Sequence, residues 1–174
     1  MSPDINDIKR NIEGQRDLLS RIITAVPGFQ GYVETGEKYD ADRVIRNFMA
    51  DKILAFKQTV SGAMRDMQKS VDHDVLSRLD SLGTVLERIL KKCQFADYGK
   101  KSFTGVSMTP EQQDKLLAYD WNLIFRLDEI GTEFDRLSGV EPGAVSGIVA
   151  DILKKLNEFE KEIDGRKSVI LEVL

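Results

Sequence analysis

This sequence has few residues of the types that form disulfides, bind metals or interrupt helices, and it has no long apolar run. Its 174 residues include one cysteine, one histidine and four prolines, and no apolar run approaches the roughly 18 residues of a membrane-spanning helix. The single Cys93 excludes a disulfide within the chain. A lone cysteine is typical of a reducing compartment, so we predict a cytoplasmic protein. The N-terminal residues Met1 to Asp7 have no apolar core, which predicts no signal peptide.

The scarcity of histidine and cysteine also limits catalysis and metal binding. His73 lies between Asp72 and Asp74 near a predicted helix start, and we interpret the three residues as a capping cluster rather than a metal site. Cys93 lies almost a helix length from His73, which argues against a Cys–His nucleophile. The chain has no phosphate-binding loop and no nucleic-acid-reading motif, and its formal net charge is −4. We therefore predict no enzyme, no cofactor, no metal and no nucleic-acid partner.

Apolar residues recur every three or four positions along most of the chain, which predicts long amphipathic helices. Five are predicted. Four run over about Asp4–Val26, Lys38–Lys69, His73–Phe95 and Pro110–Ser138, and the fifth begins at Glu141-Pro142 and carries apolar residues as far as Val173. Gly28 and Gly139 predict helix ends, and Thr109 with Gln112 predicts a capping box at a helix start. Short connections make successive helices antiparallel. The predicted fold is thus an all-α, up-and-down antiparallel bundle of four to five long helices, forming one domain over residues 1–174.

Two irregular segments, rich in glycine and aromatic residues, fall at one end of such a bundle, which we call the loop end. They run from Pro27 to Gly36 and from Asp97 to Met108, whereas the opposite end has only tight turns. Loops carry function more often than their scaffolds do, so we predict an interaction surface here. Its candidate residues are Phe29, Tyr32, Tyr98, Lys100, Lys101 and Phe103. We expect Phe29 and Tyr32 to pack against the bundle or against the segment Phe95–Phe103, because two solvated rings expose apolar area.

A predicted polar layer inside the bundle is the second candidate site. Gln15, Asp120 and Arg166 each occupy a helix position that is otherwise apolar, and Thr84 falls at a similar depth from the loop end. Polar residues in an apolar seam usually fix helix register and partner choice, which is our first interpretation. The alternative is a small polar cavity that holds a ligand or water.

Asp120 is the most informative member of this layer. It lies between Leu116 and Leu123 on the apolar stripe of its helix, so its carboxylate should point into the bundle. A bare carboxylate is costly there and needs a partner. We predict Arg166 or Arg46 as the cationic partner, with the other members of the layer as neutral partners.

One loop motif resembles a known family. The matching residues are Val26-Pro-Gly-Phe-Gln-Gly-Tyr32, then Ala41-Asp-Arg43, Arg46, Tyr98-Gly99 and Tyr119-Asp120. In this scattered pattern the chain resembles a family of small helical bacterial proteins with a Pro-Gly-Phe-x-Gly-Tyr loop. That family has no assigned activity, so the resemblance implies a helical fold and no catalytic residues.

These patterns favour a non-enzymatic interaction or scaffold protein that binds another protein through the loop end, with a homo-oligomer left open. A second interpretation is a peripheral protein that lays an amphipathic helix on a membrane surface. The polar faces are acidic or mixed rather than rich in lysine and arginine, which weakens this interpretation. A third is a bundle that binds a small ligand in the polar layer around Asp120.

Overall fold

The computed structural model describes residues 5–31, 38–67, 73–95 and 109–173, and these residues are almost entirely helical. The long helices are α1 (Ile5–Ala25), α2 (Lys38–Met67), α3 (His73–Gln94), α4 (Pro110–Leu137) and α5 (Pro142–Val173). The described ranges contain no strand. The predicted all-α bundle is confirmed, and each helix end lies within two residues of its predicted position.

Local backbone chemistry explains why these helix ends could be predicted. The Thr109 hydroxyl accepts a hydrogen bond from the Gln112 backbone N–H at 3.3 Å, and the Gln112 side chain accepts one from the Thr109 N–H at 2.8 Å. This capping box satisfies two N–H groups that a helix start leaves without partners. Gly28 and Gly139 have φ angles of 81° and 71°, in the left-handed region that favours glycine after a helix.

Two antiparallel hairpins make up the body of the bundle. In the first, α2 packs along α3, and Arg46 near the start of α2 contacts the backbone at the end of α3. In the second, Asp120 near the start of α4 pairs with Arg166 near the end of α5, and Glu133 farther along α4 pairs with Lys155. Within each hairpin, successive helices therefore run in opposite directions, as predicted.

The two hairpins pack side by side through parallel neighbours. Arg88 bonds to Glu160 and Lys92 bonds to Asp164, and each pair is 72 residues apart, so α3 and α5 run in the same direction. Contacts between α2 and α4 advance along both helices in the same way. The order around the bundle is thus α2, α3, α5, α4, and α1 packs against α4. The loop end holds the starts of α2 and α4 and the ends of α3 and α5.

The core of the described residues is apolar over most of its length. Phe56 on α2 and Phe134 on α4 stack with ring centroids 4.4 Å apart. We call the region around this pair, toward the turn between α4 and α5, the lower half. Fully buried aliphatic side chains surround it, each stabilising the fold by about 1.5–3 kcal/mol. No helix in the described ranges combines the length and apolar character that crossing a membrane requires.

Candidate functional site

Four charged side chains are buried together near the loop end, and we call them the charge clamp. Asp42 and Arg46 belong to α2, Asp120 to α4 and Arg166 to α5, and none is more than 7% exposed. Helix α3 contributes backbone carbonyls rather than a side chain. The clamp therefore joins all four helices of the two hairpins in one layer.

Arg166 is the centre of the clamp. Its Nε donates to Asp120 Oδ1 at 2.6 Å and its Nη2 to Asp120 Oδ2 at 2.9 Å, which makes the pair bidentate. Its Nη1 donates to Asp42 Oδ1 at 2.5 Å. A single guanidinium, 1% exposed, thus links α5 to its neighbour α4 and across the bundle to α2.

Arg46 extends the clamp to the end of α3. Its Nε donates to Asp42 Oδ2 at 2.8 Å, and its Nη1 donates to the carbonyl of Cys93 at 3.2 Å and more weakly to that of Gln94 at 3.5 Å. The last carbonyls of a helix have no partner within the helix and carry a partial negative charge. The guanidinium of Arg46 donates hydrogen bonds to these carbonyls and offsets their partial negative charge, so it holds the end of α3 in place.

The clamp is balanced in charge and in hydrogen bonds. It pairs two guanidinium groups with two carboxylates, and among the described residues every buried side-chain nitrogen and oxygen has a hydrogen-bond partner. Burial raises the pKa of Asp120, although the charge of Arg166 and its hydrogen bonds oppose the shift. A buried ion pair gives up the hydration of both partners, so the hydrogen bonds of the clamp offset a desolvation cost.

The pairing of Asp120 with Arg166 that the sequence predicts is present. Arg46, the alternative cation, bonds to Asp42 instead. Asp42 was not among the predicted site residues, although it lies three residues before the buried Ile45 and so on the inner face of α2. The signal that identified Asp120, an acid on an apolar stripe, was therefore also present for Asp42.

The prediction that Thr84 belongs to the buried layer is wrong. Its side chain is exposed, and its hydroxyl donates to the carbonyl of Asp80 in the same helix at 3.1 Å. Leu82 and Leu86 face the core, and a residue two positions from each points to the opposite side of a helix. The position of a residue along the bundle axis does not determine whether its side chain lies on the inner or the outer face of its helix. The side chain of Gln15 lies outside the described residues.

A close contact between α4 and α5 lies beside the clamp. The Tyr119 hydroxyl donates to the backbone carbonyl of Glu162 at 2.6 Å. Gly165 provides the space for this phenol, because a Cβ at Gly165 would lie 2.6 Å from the Tyr119 oxygen. Burial raises the pKa of Tyr119, and the Glu162 charge adds to the effect, so the hydroxyl is a neutral donor. Tyr119 and Gly165 immediately precede the clamp residues Asp120 and Arg166.

Cys93 lies near the clamp without the character of a reactive thiol. Its side chain is 1% exposed, and burial raises its pKa to about 11 even though Arg166 and Arg46 act in the opposite direction. The thiol is therefore protonated at neutral pH, and a protonated thiol is a weak nucleophile. Within the described ranges, no group of three or more acidic, histidine or cysteine side chains is arranged to hold a metal ion.

The predicted interaction loops lie only partly within the described residues. The ring of Phe29 is 2% exposed and packs in the core. The other candidates lie outside the described residues: Tyr32, Tyr98, Lys100, Lys101 and Phe103. Phe95, which directly follows α3 and was not among the predicted candidates, is 75% exposed.

No family model, curated protein or solved structure matches this sequence. The class of protein is therefore defined by its fold and its site alone. It is an all-α bundle with a balanced, buried charge clamp beneath its loop end.

Proposed function

We propose that this protein is a non-enzymatic interaction protein that binds another protein through its loop end. The observation that carries the proposal is the support beneath Phe95. Arg46 holds the carbonyls of Cys93 and Gln94, the two residues that precede this exposed ring. Aromatic anchors on fixed supports dominate many protein interfaces, because a pre-ordered residue loses little conformational freedom on binding.

The state of the charged groups supports an interaction role over catalysis. A catalytic acid, base or nucleophile must reach a substrate and be held near its working pKa. In the clamp, each of the four charged groups is directed at another clamp residue or at the end of α3. Cys93 is buried and protonated. The clamp residues therefore support the loop end and do not act as an acid, a base or a nucleophile.

Site-specific photo-crosslinking in the native cell tests the proposal. One variant carries a photoreactive amino acid in place of Phe95, and its matched control carries it in place of Ala144, which is exposed at the opposite end of the bundle. We expect one protein, or a second copy of this chain, to be captured from position 95 and not from position 144. Capture from both positions alike, or only from position 144, would contradict a binding face at the loop end.

Two further measurements sharpen the test. Replacing Phe95 with Ala should weaken binding of the captured protein by at least about tenfold, as expected for an aromatic anchor. Liposome co-sedimentation separates the proposal from the membrane-surface interpretation, and we expect the chain to stay in the supernatant. Co-sedimentation with vesicles, combined with no captured protein, would favour the membrane interpretation.

A further inference from the structure

We propose that Tyr119, Gly165 and the Asp120–Arg166 pair form a register lock that selects one axial alignment of α5 on α4. This inference does not depend on the proposed binding role. It rests on two contacts of different kinds, one steric and one electrostatic, which occur at the same level of the same two helices.

The lower half of the bundle gives a reason for such a lock. There the buried side chains of α4 and α5 are apolar, and the partly exposed ion pair of Glu133 with Lys155 lies beside them. The buried apolar residues are Leu127, Ile130, Phe134, Val149, Ile152 and Leu156. Apolar contacts have no preferred direction. A slide of one helical turn, about 5.4 Å, brings apolar residues opposite apolar residues again. Directional or close-fitting contacts are needed to reject the shifted alignment.

The steric half of the lock depends on a missing side chain. Tyr119 fits against α5 because Gly165 has no Cβ, and a Cβ there would lie 2.6 Å from the phenol oxygen. A slide of one turn in either direction would bring Lys161 or Val169 opposite Tyr119. Both residues carry the Cβ that the contact excludes, so neither shifted alignment accommodates the ring.

The electrostatic half of the lock depends on reach. Asp120 and Arg166 meet through two hydrogen bonds of 2.6 and 2.9 Å in the buried layer. A shift of about 5.4 Å would break both and leave a carboxylate and a guanidinium buried without each other.

Electron-spin distance measurements test the lock directly. Spin labels are attached to cysteines introduced at the exposed positions Thr132 on α4 and Lys167 on α5, while the buried, protonated Cys93 stays unlabelled. We expect one narrow distance distribution with the natural lock. Gly165→Ala should broaden it or add a population shifted by about one helical turn, roughly 5 Å.

A second substitution separates the steric contact from general damage. Adding Tyr119→Phe to Gly165→Ala removes the clashing oxygen, and the nearest remaining ring atom is then 3.7 Å from the new methyl, an ordinary contact. We expect the single narrow distribution to return. Gly147→Ala is the matched control on α5, because nothing lies within 4 Å of its Cβ position, and it should leave the distribution unchanged.

The outcomes divide cleanly. If Gly165→Ala fails to fold and the double variant folds with one distance, the steric half is supported. The steric half is overturned if Gly165→Ala keeps the unchanged narrow distribution, or if adding Tyr119→Phe does not restore the narrow distribution.

The electrostatic half has its own test. Asp120→Leu combined with Arg166→Met should keep its helicity but broaden the distribution. A narrow, unchanged distribution in that variant would overturn the electrostatic half.

Discussion

At the loop end the four helices meet through two arginines and two aspartates, whereas in the lower half they meet through the stacked rings of Phe56 and Phe134 and their aliphatic neighbours. Charge pairs are satisfied in one geometry only, but apolar contacts tolerate small shifts. The two regions should therefore fail differently. Removing one clamp residue leaves an uncompensated buried charge, and removing a core side chain leaves a cavity.

The largest effect is expected for Asp120→Ala. This change leaves the guanidinium of Arg166, which is 1% exposed, with only part of its compensating charge. Breaking a buried pair from one side costs about 3–5 kcal/mol of unfolding free energy. Denaturant titration at pH 7 measures it. A neutral result would mean that the carboxylate is solvated in solution and that the layer is not a clamp.

In the lower half, Leu79→Ala should cost about 3 kcal/mol through a cavity. Leu79 is fully buried in the core, and the loss combines the transfer free energy of the missing atoms with an unfilled space. No charge is involved, so the loss should be equal at 0.1 M and 1 M salt in urea titrations. The exposed Ser81→Ala on the same helix is the control and should change stability by less than about 0.5 kcal/mol. A strongly salt-dependent loss at Leu79 would remove the distinction between the two regions.

Between these extremes lies the half-buried ion pair network of Glu160. Hydrogen bonds from Arg88 and also from Lys92 lower the pKa of Glu160 from 4.5 to about 2, against the opposing effect of burial. A group whose pKa is lowered on folding adds stability at every pH above its ordinary pKa. For Glu160 this stability is lost as the pH falls from about 4.5 toward 2.

Glu160→Gln should therefore destabilise the protein by about 1–2 kcal/mol at pH 7 and by almost nothing near pH 2, after allowance for solvent screening. The free energy of unfolding, measured by denaturant titration across this range, gives the profile. Parallel profiles for the two proteins would show that Glu160 titrates normally and that the network adds no pH-dependent stability.

The smallest effect is expected for the surface pair of Lys52 and Asp128. Its nitrogen–oxygen distance is 2.7 Å, but the two side chains are 31% and 57% exposed. Exposed pairs contribute about 0–1 kcal/mol and weaken in salt. Asp128→Ala should therefore cost less than about 0.5 kcal/mol, and it serves as the matched control for Asp120→Ala. A loss close to that of Asp120→Ala would show that burial is not what distinguishes the clamp.

The sequence predicts the helices and one clamp pair because these depend on local pattern. Helix ends follow from capping residues such as Thr109, and the pairing of Asp120 with Arg166 follows from a stripe position combined with depth. Thr84 shows the limit of depth alone, since it points to the opposite side of its helix.

Features that depend on three-dimensional assembly were not predictable in this way. The stripe position of Asp42 could be read from the sequence, but its bond to Arg166, 124 residues away on α5, could not. A helical stripe defines the buried face but not the neighbour that covers it, so the parallel packing of the hairpins was not foreseen. The contact of Tyr119 with Gly165 depends on atomic spacing that no residue pattern contains.

A double-mutant cycle between Asp120 and Arg166 tests the central claim most directly. Asp120→Ala leaves the clamp with one excess positive charge and Arg166→Met with one excess negative charge, whereas the double variant leaves Asp42 paired with Arg46. We predict that the double variant loses about 2–3 kcal/mol less than the sum of the two single losses, measured by denaturant titration. Losses that add to within about 0.5 kcal/mol would contradict a clamp that couples these charges inside the bundle.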